Sequence, residues 1–201
     1  MKRFALLALL ALPLAAFADS IDTSNHGGML AGSTAGMSLT GSQLTAVVFN
    51  GGSPITGTTS LGSVVFSTGT LSGGSLQMGG TFNGGGSFVI ASTGASGLPS
   101  GTLFNGSFSG PVTWTLVTLS NGTHNYVLIG AVSGTWFNGA TVYGATTQLT
   151  INTGRGFFNG TTSISSGDTN IVTSVPEPGT LGLLGTGLVG IAGAMHRKFK
   201  S

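Results

Sequence analysis

The sequence predicts an all-β body, either an antiparallel sandwich or a partly closed barrel, with Gly- and Asn-rich hairpins. Three observations carry this expectation. Between Val112 and Ile151 the chain reads VTWTLVTLSNGTHNYVLIGAVSGTWFNGATVYGATTQLTI. Its apolar and polar residues alternate with a period of two, which puts successive side chains on opposite faces of a strand. Two Asn-Gly pairs, Asn121-Gly122 and Asn138-Gly139, cut that stretch into three runs, and Asn-Gly accepts positive φ at both central positions of a tight hairpin turn. Finally, between the first 18 residues and the last 27, no stretch repeats its apolar residues at the helical period over a normal helix length.

In chain order, MKRFALLALLALPLAAFADS places Lys2 and Arg3 before an apolar run from Phe4 to Ala16, then the small-x-small triplet Ala16-Phe17-Ala18. That is the pattern of a secretory signal peptide, expected as a helix over residues 1–18 and cleaved after Ala18. Thirteen apolar residues at ~1.5 Å each cover ~20 Å of a ~30 Å bilayer core, too little for an anchor.

A β-rich extracytoplasmic domain is expected over residues 19–164. Short β-branched and aromatic runs at 44–49, 61–66 and 87–91 predict strands ahead of a three-stranded meander over 112–151, in which Val112, Trp114 and Leu116 share a face. Phe-Asn-Gly recurs at Phe49, Phe82, Phe104, Phe137 and Phe158. The recurrence reads as an internal duplication or as a convenient strand end and turn. A β-solenoid is the alternative fold, since Gly, Ser, Thr and Asn also suit stacked coils, but the turn spacing is irregular for one. Residues 165–174 read as a linker.

Chemistry is sparse in this body. Between Asp19 and Val175 the charged residues are Asp19, Asp22, Arg155 and Asp168, one positive against three negative, or −2 with His26 and His124 neutral. Five of the six basic residues lie in the terminal segments, so the body has no electrostatic footprint for nucleic acid. The chain has no cysteine, which excludes disulfides and thiolate chemistry. Acid–base catalysis needs two titrating groups around one substrate. His124 reads as a solvated loop histidine after the Asn121-Gly122 turn, and His26, near Asp22 and Asp19, as part of a loose N-terminus. No Gly-x-Ser-x-Gly elbow occurs. No catalytic residue, metal or cofactor is assigned, and an enzyme is not expected.

The chain ends SVPEPGTLGLLGTGLVGIAGAMHRKFKS. A stiff turn at Pro176-Glu177-Pro178 precedes 17 residues, 179–195, that reach the lower limit for a transmembrane helix. Arg197, Lys198 and Lys200 follow and hold that end in the cytoplasm. Six glycines between positions 179 and 193 make the helix a weak one.

This tail, residues 175–201, resembles the PEP-CTERM sorting tails of Gram-negative bacteria that make exopolysaccharide. Val175, Pro176, Glu177 and Pro178 match the motif, 181–194 the helix, and Arg197, Lys198 and Lys200 the basic cluster. The resemblance implies an exosortase, a membrane protease-transpeptidase, as a partner alongside the secretion machinery. It also implies transient anchoring in the inner membrane, followed by the cell surface or extracellular matrix. It says nothing about the body. The expected function is a noncatalytic structural or biofilm-matrix protein that touches exopolysaccharide or copies of itself. The alternative is a carbohydrate-binding module or polysaccharide-acting enzyme. Trp114, Tyr126, Trp136 and Tyr143 discriminate: aligned on one solvent face they favour sugar stacking, and buried they favour structural use.

Overall fold

The computed structural model describes residues 20–172, together with Gly187. The signal helix expected over 1–18 and the tail with its transmembrane helix from 175 onward lie outside the described residues. Asp19–Ser174 form one compact unit.

Fourteen strands are described: β1 (Ser20–His26), β2 (Met29–Ser33), β3 (Gly36–Phe49), β4 (Ile55–Thr56), β5 (Gly62–Ser67), β6 (Leu71–Ser75), β7 (Gly79–Phe82), β8 (Gly85–Thr93), β9 (Ser100–Phe108), β10 (Val112–Thr118), β11 (His124–Trp136), β12 (Thr141–Asn152), β13 (Thr161–Ser163) and β14 (Ser166–Val172). Eight of them form a ring in the order β12-β14-β1-β3-β5-β8-β9-β11, and β11 pairs back to β12. All of these pairings are antiparallel. The body is therefore a closed barrel, neither a sandwich nor a solenoid. Closure removes the exposed edges that an open Gly-rich sheet would present.

The long strands serve two neighbours on one edge. The first half of β11 pairs with β10 and the second half with β9. There β10 peels off the ring and carries β7 and β6 with it. On β3, the first residues pair with β2 and the later ones with β1, and β13 joins β2.

Two boundaries differ from expectation. The expected linker at 165–174 contains β14, hydrogen-bonded to β1 on one side and β12 on the other. The domain thus runs to Val172 rather than 164. Likewise the N-terminus is not loose, because Ser20–His26 is a ring strand with two partners. The Phe-Asn-Gly triplets occupy unlike places: a strand end at Phe49 and Phe82, mid-strand at Phe104, and connections at Phe137 and Phe158. They reflect turn and core chemistry, not a repeated unit.

An eight-stranded barrel is just wide enough for side chains to fill it, and large residues face small ones across it. Phe88 stacks on Phe66 with ring centroids 5.9 Å apart and meets Phe104 and Phe108 edge-on at 6.1 and 5.8 Å. Phe108 lies over Gly130, where an added Cβ would stand 2.6 Å from its ring. A second group, Trp114, Tyr126 and Phe158, packs at 4.8 to 6.1 Å between centroids. Its polar tips are satisfied by the chain before β7: Trp114 Nε1 donates to Leu76 O at 2.8 Å and Tyr126 OH to Gln77 O at 2.6 Å.

Among the inward apolar residues of β1, β14 and β12 sit small polar side chains, Thr23, Asn25, Thr147 and Thr169, whose hydrogen bonds are made within the barrel. Asn25 Nδ2 donates to Ser42 Oγ at 2.7 Å, Thr23 Oγ1 donates to Thr169 O at 3.3 Å, and the Thr147 and Thr169 hydroxyls lie 3.0 Å apart. Among the described residues no buried side-chain nitrogen or oxygen lacks a partner. Most large aromatics lie inside and Thr, Ser, Asn, Gln and Asp alternate with them outside, where Phe137, Tyr143, Phe157 and six large aliphatic side chains of the described residues are also exposed; a membrane-spanning barrel carries a band of apolar residues outward and a polar interior.

Both meander turns fall where Asn-Gly predicted, with different geometry. Gly122 and Gly139 have φ +78 and +86, whereas Asn121 and Asn138 are not in the positive-φ region. Gly139 N donates to Trp136 O at 2.8 Å and Trp136 N to Ala140 O at 2.9 Å. That is the longer hairpin loop in which glycine alone takes the left-handed position. No other atom comes within 4 Å of a Cβ added at Gly139. Gly139→Val should therefore cost about 1–3 kcal/mol from backbone strain alone. Gly139→Asn should cost less, because Asn tolerates that region. Urea denaturation of the two variants checks the order.

Candidate functional site

Because β14 lies between β1 and β12, residues distant in sequence share one outer face. Asp22 pairs with Asn170, which pairs with Thr146; Ser24 pairs with Asp168, which pairs with Gln148. Strands lie about 4.8 Å apart and alternate residues about 7 Å apart, so these two rows make a compact polar rectangle. It surrounds a shallow depression of about 300 Å³, lined by these six residues with Thr23 and Thr169. The Thr23, Thr147 and Thr169 hydrogen bonds beneath hold the strands in register, so the rectangle stands on a fixed base.

The Asn170 amide donates to Asp22 Oδ1 and orients that carboxylate. The side chains of Asp168 and Gln148 make no hydrogen bond to another described residue, and both are exposed. Both carboxylates of the described residues lie here, while Arg155, the remaining charged side chain among them, sits on the connection from β12 to β13. The face carries two negative charges and has paired carboxylate and amide groups that accept and donate in one plane. Among the described residues no group of three or more His, Cys, Asp or Glu is placed to hold a metal ion.

The four discriminating aromatics divide. Trp114, Tyr126 and Trp136 are buried in the core, whereas Tyr143 on β12 is 68% exposed. Tyr143 points to the same outer face as Thr146 and Gln148, separated from them by a bulge at Gly144, where φ is +70. Val172, at the end of β14, is also exposed at this margin.

The histidines differ from their sequence reading. His124 is not a solvated loop residue: it begins β11, is buried, shares a hydrogen bond with Thr118 Oγ1 at 3.1 Å, and stacks on Phe157 at 4.4 Å. His26 ends β1, exposed. Gln148, Asn170 and Thr146 went unnoticed in the sequence. The usable signal was the alternation in Ile21-Asp22-Thr23-Ser24-Asn25 and Gly167-Asp168-Thr169-Asn170-Ile171, which marks two strands with polar outer faces.

The sequence-predicted sorting residues, Val175, Pro176, Glu177 and Pro178, the basic cluster Arg197, Lys198 and Lys200, and the cleavage residues Ala16 and Ala18 all lie outside the described residues. Residues 174–198 match the PEP-CTERM protein-sorting motif. That motif indicates a protein that is exported, anchored at a membrane for sorting, and processed by an exosortase. No curated protein and no solved structure matches the chain.

Proposed function

We propose that the chain is a noncatalytic structural protein of the cell surface or extracellular matrix of a Gram-negative bacterium, with the barrel as cargo and the tail as address. The observation that supports this reading best is the polarity of the barrel. Most of its large aromatics fill the interior, and its outside is nearly uncharged, with Thr, Ser, Asn and Gly interspersed with single exposed apolar residues such as Met78, Phe137 and Tyr143 around one small acidic face. Such a surface contacts hydrated polymer or a neighbouring copy without electrostatic selection.

In this reading the signal peptide exports the chain, and the weak helix over 179–195 halts it in the inner membrane with Arg197, Lys198 and Lys200 on the cytoplasmic side. Pro176 and Pro178 keep the motif out of the helix, so that an exosortase reaches it at the outer membrane-water boundary. Produced in an exosortase-bearing host, the mature protein should be recovered from the surface or matrix fraction without its basic cluster. Changing Pro176, Glu177 and Pro178 to Ala should leave export intact and the uncut chain in the inner membrane. Intact-mass measurement decides, and a mature C-terminus still reading Phe199-Lys200-Ser201 would make the tail a permanent anchor.

A further inference from the structure

We infer that the outer face of β1, β14 and β12 binds a neutral saccharide chain, with Tyr143 as the stacking platform and Asp22, Asp168, Asn170 and Gln148 as the hydroxyl-reading groups. This rests on the reading that the body works through its outside, and it names the partner class. The placement carries it. On this face four planar polar groups, those of Asp22, Asp168, Asn170 and Gln148, converge on one depression of about 300 Å³, whereas Asn125 and Asn152 farther along the barrel bond each other. Among the described residues Tyr143 carries the most exposed aromatic ring, and it projects from the same face of one of the same strands.

Each part matches a feature of a sugar. A pyranose presents an apolar C–H face that a flat ring covers, and pairs of adjacent hydroxyls that donate to one carboxylate or bridge an amide. Asp22 is already oriented by Asn170, leaving its second oxygen to accept. The Asp168 and Gln148 side chains have no described protein partner to give up, so a ligand displaces only water. Two carboxylates without a nearby cation disfavour uronates and sulfated sugars, so the saccharide is a neutral one. The floor is set by buried threonine hydrogen bonds, so binding orders the exposed side chains, at about 0.5–1.5 kcal/mol each, and not the strands beneath them.

The test uses the full chain in a zwitterionic detergent, since glucoside headgroups would compete. Cellohexaose, mannohexaose and an oligogalacturonate of similar length are titrated by calorimetry, with chromatography of the sugars afterwards. At least one neutral hexaose should bind with a Kd of about 0.1–1 mM, as suits an open site that buries part of its ligand, and the oligogalacturonate should not. Tyr143→Ala and Asp168→Asn should each weaken binding about tenfold or more. Phe137→Ala, which removes an exposed ring elsewhere, should leave it unchanged, with all variants matched by circular dichroism.

Failure of both neutral hexaoses to bind, or equal affinity in Tyr143→Ala, would overturn the inference and leave the sorting reading untouched. Binding of calcium alone, abolished by Asp168→Asn, would overturn it in favour of a cation site. Shortened sugar products would instead overturn the noncatalytic reading.

Discussion

Phe88→Ala should destabilise the barrel by about 3–5 kcal/mol, the cost of removing a fully buried phenylalanine without refilling its space. Phe88 is fully buried and touches three other rings. Its neighbours are held in place from different strands: Phe66 on β5, Phe104 and Phe108 on β9. They cannot collapse inward without breaking the ladders that fix those strands. Each aromatic pair adds about 0.5–1.5 kcal/mol beyond burial, so the loss should lie toward the upper part of that range. Phe137→Ala is the matched comparison, a phenylalanine 47% exposed with one ring contact, and should cost under about 1 kcal/mol. Denaturant midpoints with unchanged slopes read the difference. Equal losses for the two variants would mean that the phenylalanine cluster does not form the core.

What the sequence disclosed follows from which strands bury apolar residues. The meander was legible because Val112, Trp114, Tyr126, Leu128, Leu149 and Ile151 point inward at alternate positions. β1 and β14 were not, because the inward positions between Ile21 and Ile171 hold Thr23, Asn25, Gly167 and Thr169. Those residues are polar or small, and on the page they look like linker. They suit the interior because neighbouring strands supply partners: Ser42 for Asn25, Thr147 for Thr169. A pairing between β1 and β14 joins positions 20 and 172, and no local pattern announces it. The acidic face depends on that same closure, so Asp22 and Asp168 looked like isolated charges until the ring brought them together. The tail was legible for the opposite reason, since its motif, apolar run and basic cluster are contiguous. Its chemistry is read along the chain and needs no fold.

Thr169→Pro should open the barrel. Thr169 sits in the middle of β14, opposite Thr23 on one side and Thr147 on the other. Proline removes a ladder donor and cannot sit in a strand flanked on both sides, a cost of about 3 kcal/mol or more. It also strips the Thr147 hydroxyl of its closest partner, leaving the longer bond to Asp168 O at 3.5 Å, which adds about 0.5–1.5 kcal/mol for the lost hydrogen bond. Together these approach the lower end of the ~5–15 kcal/mol by which a domain of this kind is stable. Thr169→Val keeps the shape and the backbone donor and should cost only about 1–3 kcal/mol. Ser72→Pro should cost far less, under about 1.5 kcal/mol for one exposed hydrogen bond: β6 is the last strand of the β10-β7-β6 extension, and Ser72 falls at its register shift, bonded to β7 through its hydroxyl, which donates to Thr81 O at 3.0 Å. Limited proteolysis and thermal melting of the three variants give the order, and an intact barrel in Thr169→Pro would refute β14 as a ring strand. The result bears on sorting, because the closing strand ends at Val172 and the matched motif begins at 174. The barrel cannot close until nearly all of the exported body has emerged, and a cut before Val172 would remove part of the strand that closes it. The mature protein should therefore end at or beyond residue 173, with the closing strand whole, and a recovered C-terminus inside 166–172 would show that the barrel does not survive its own processing.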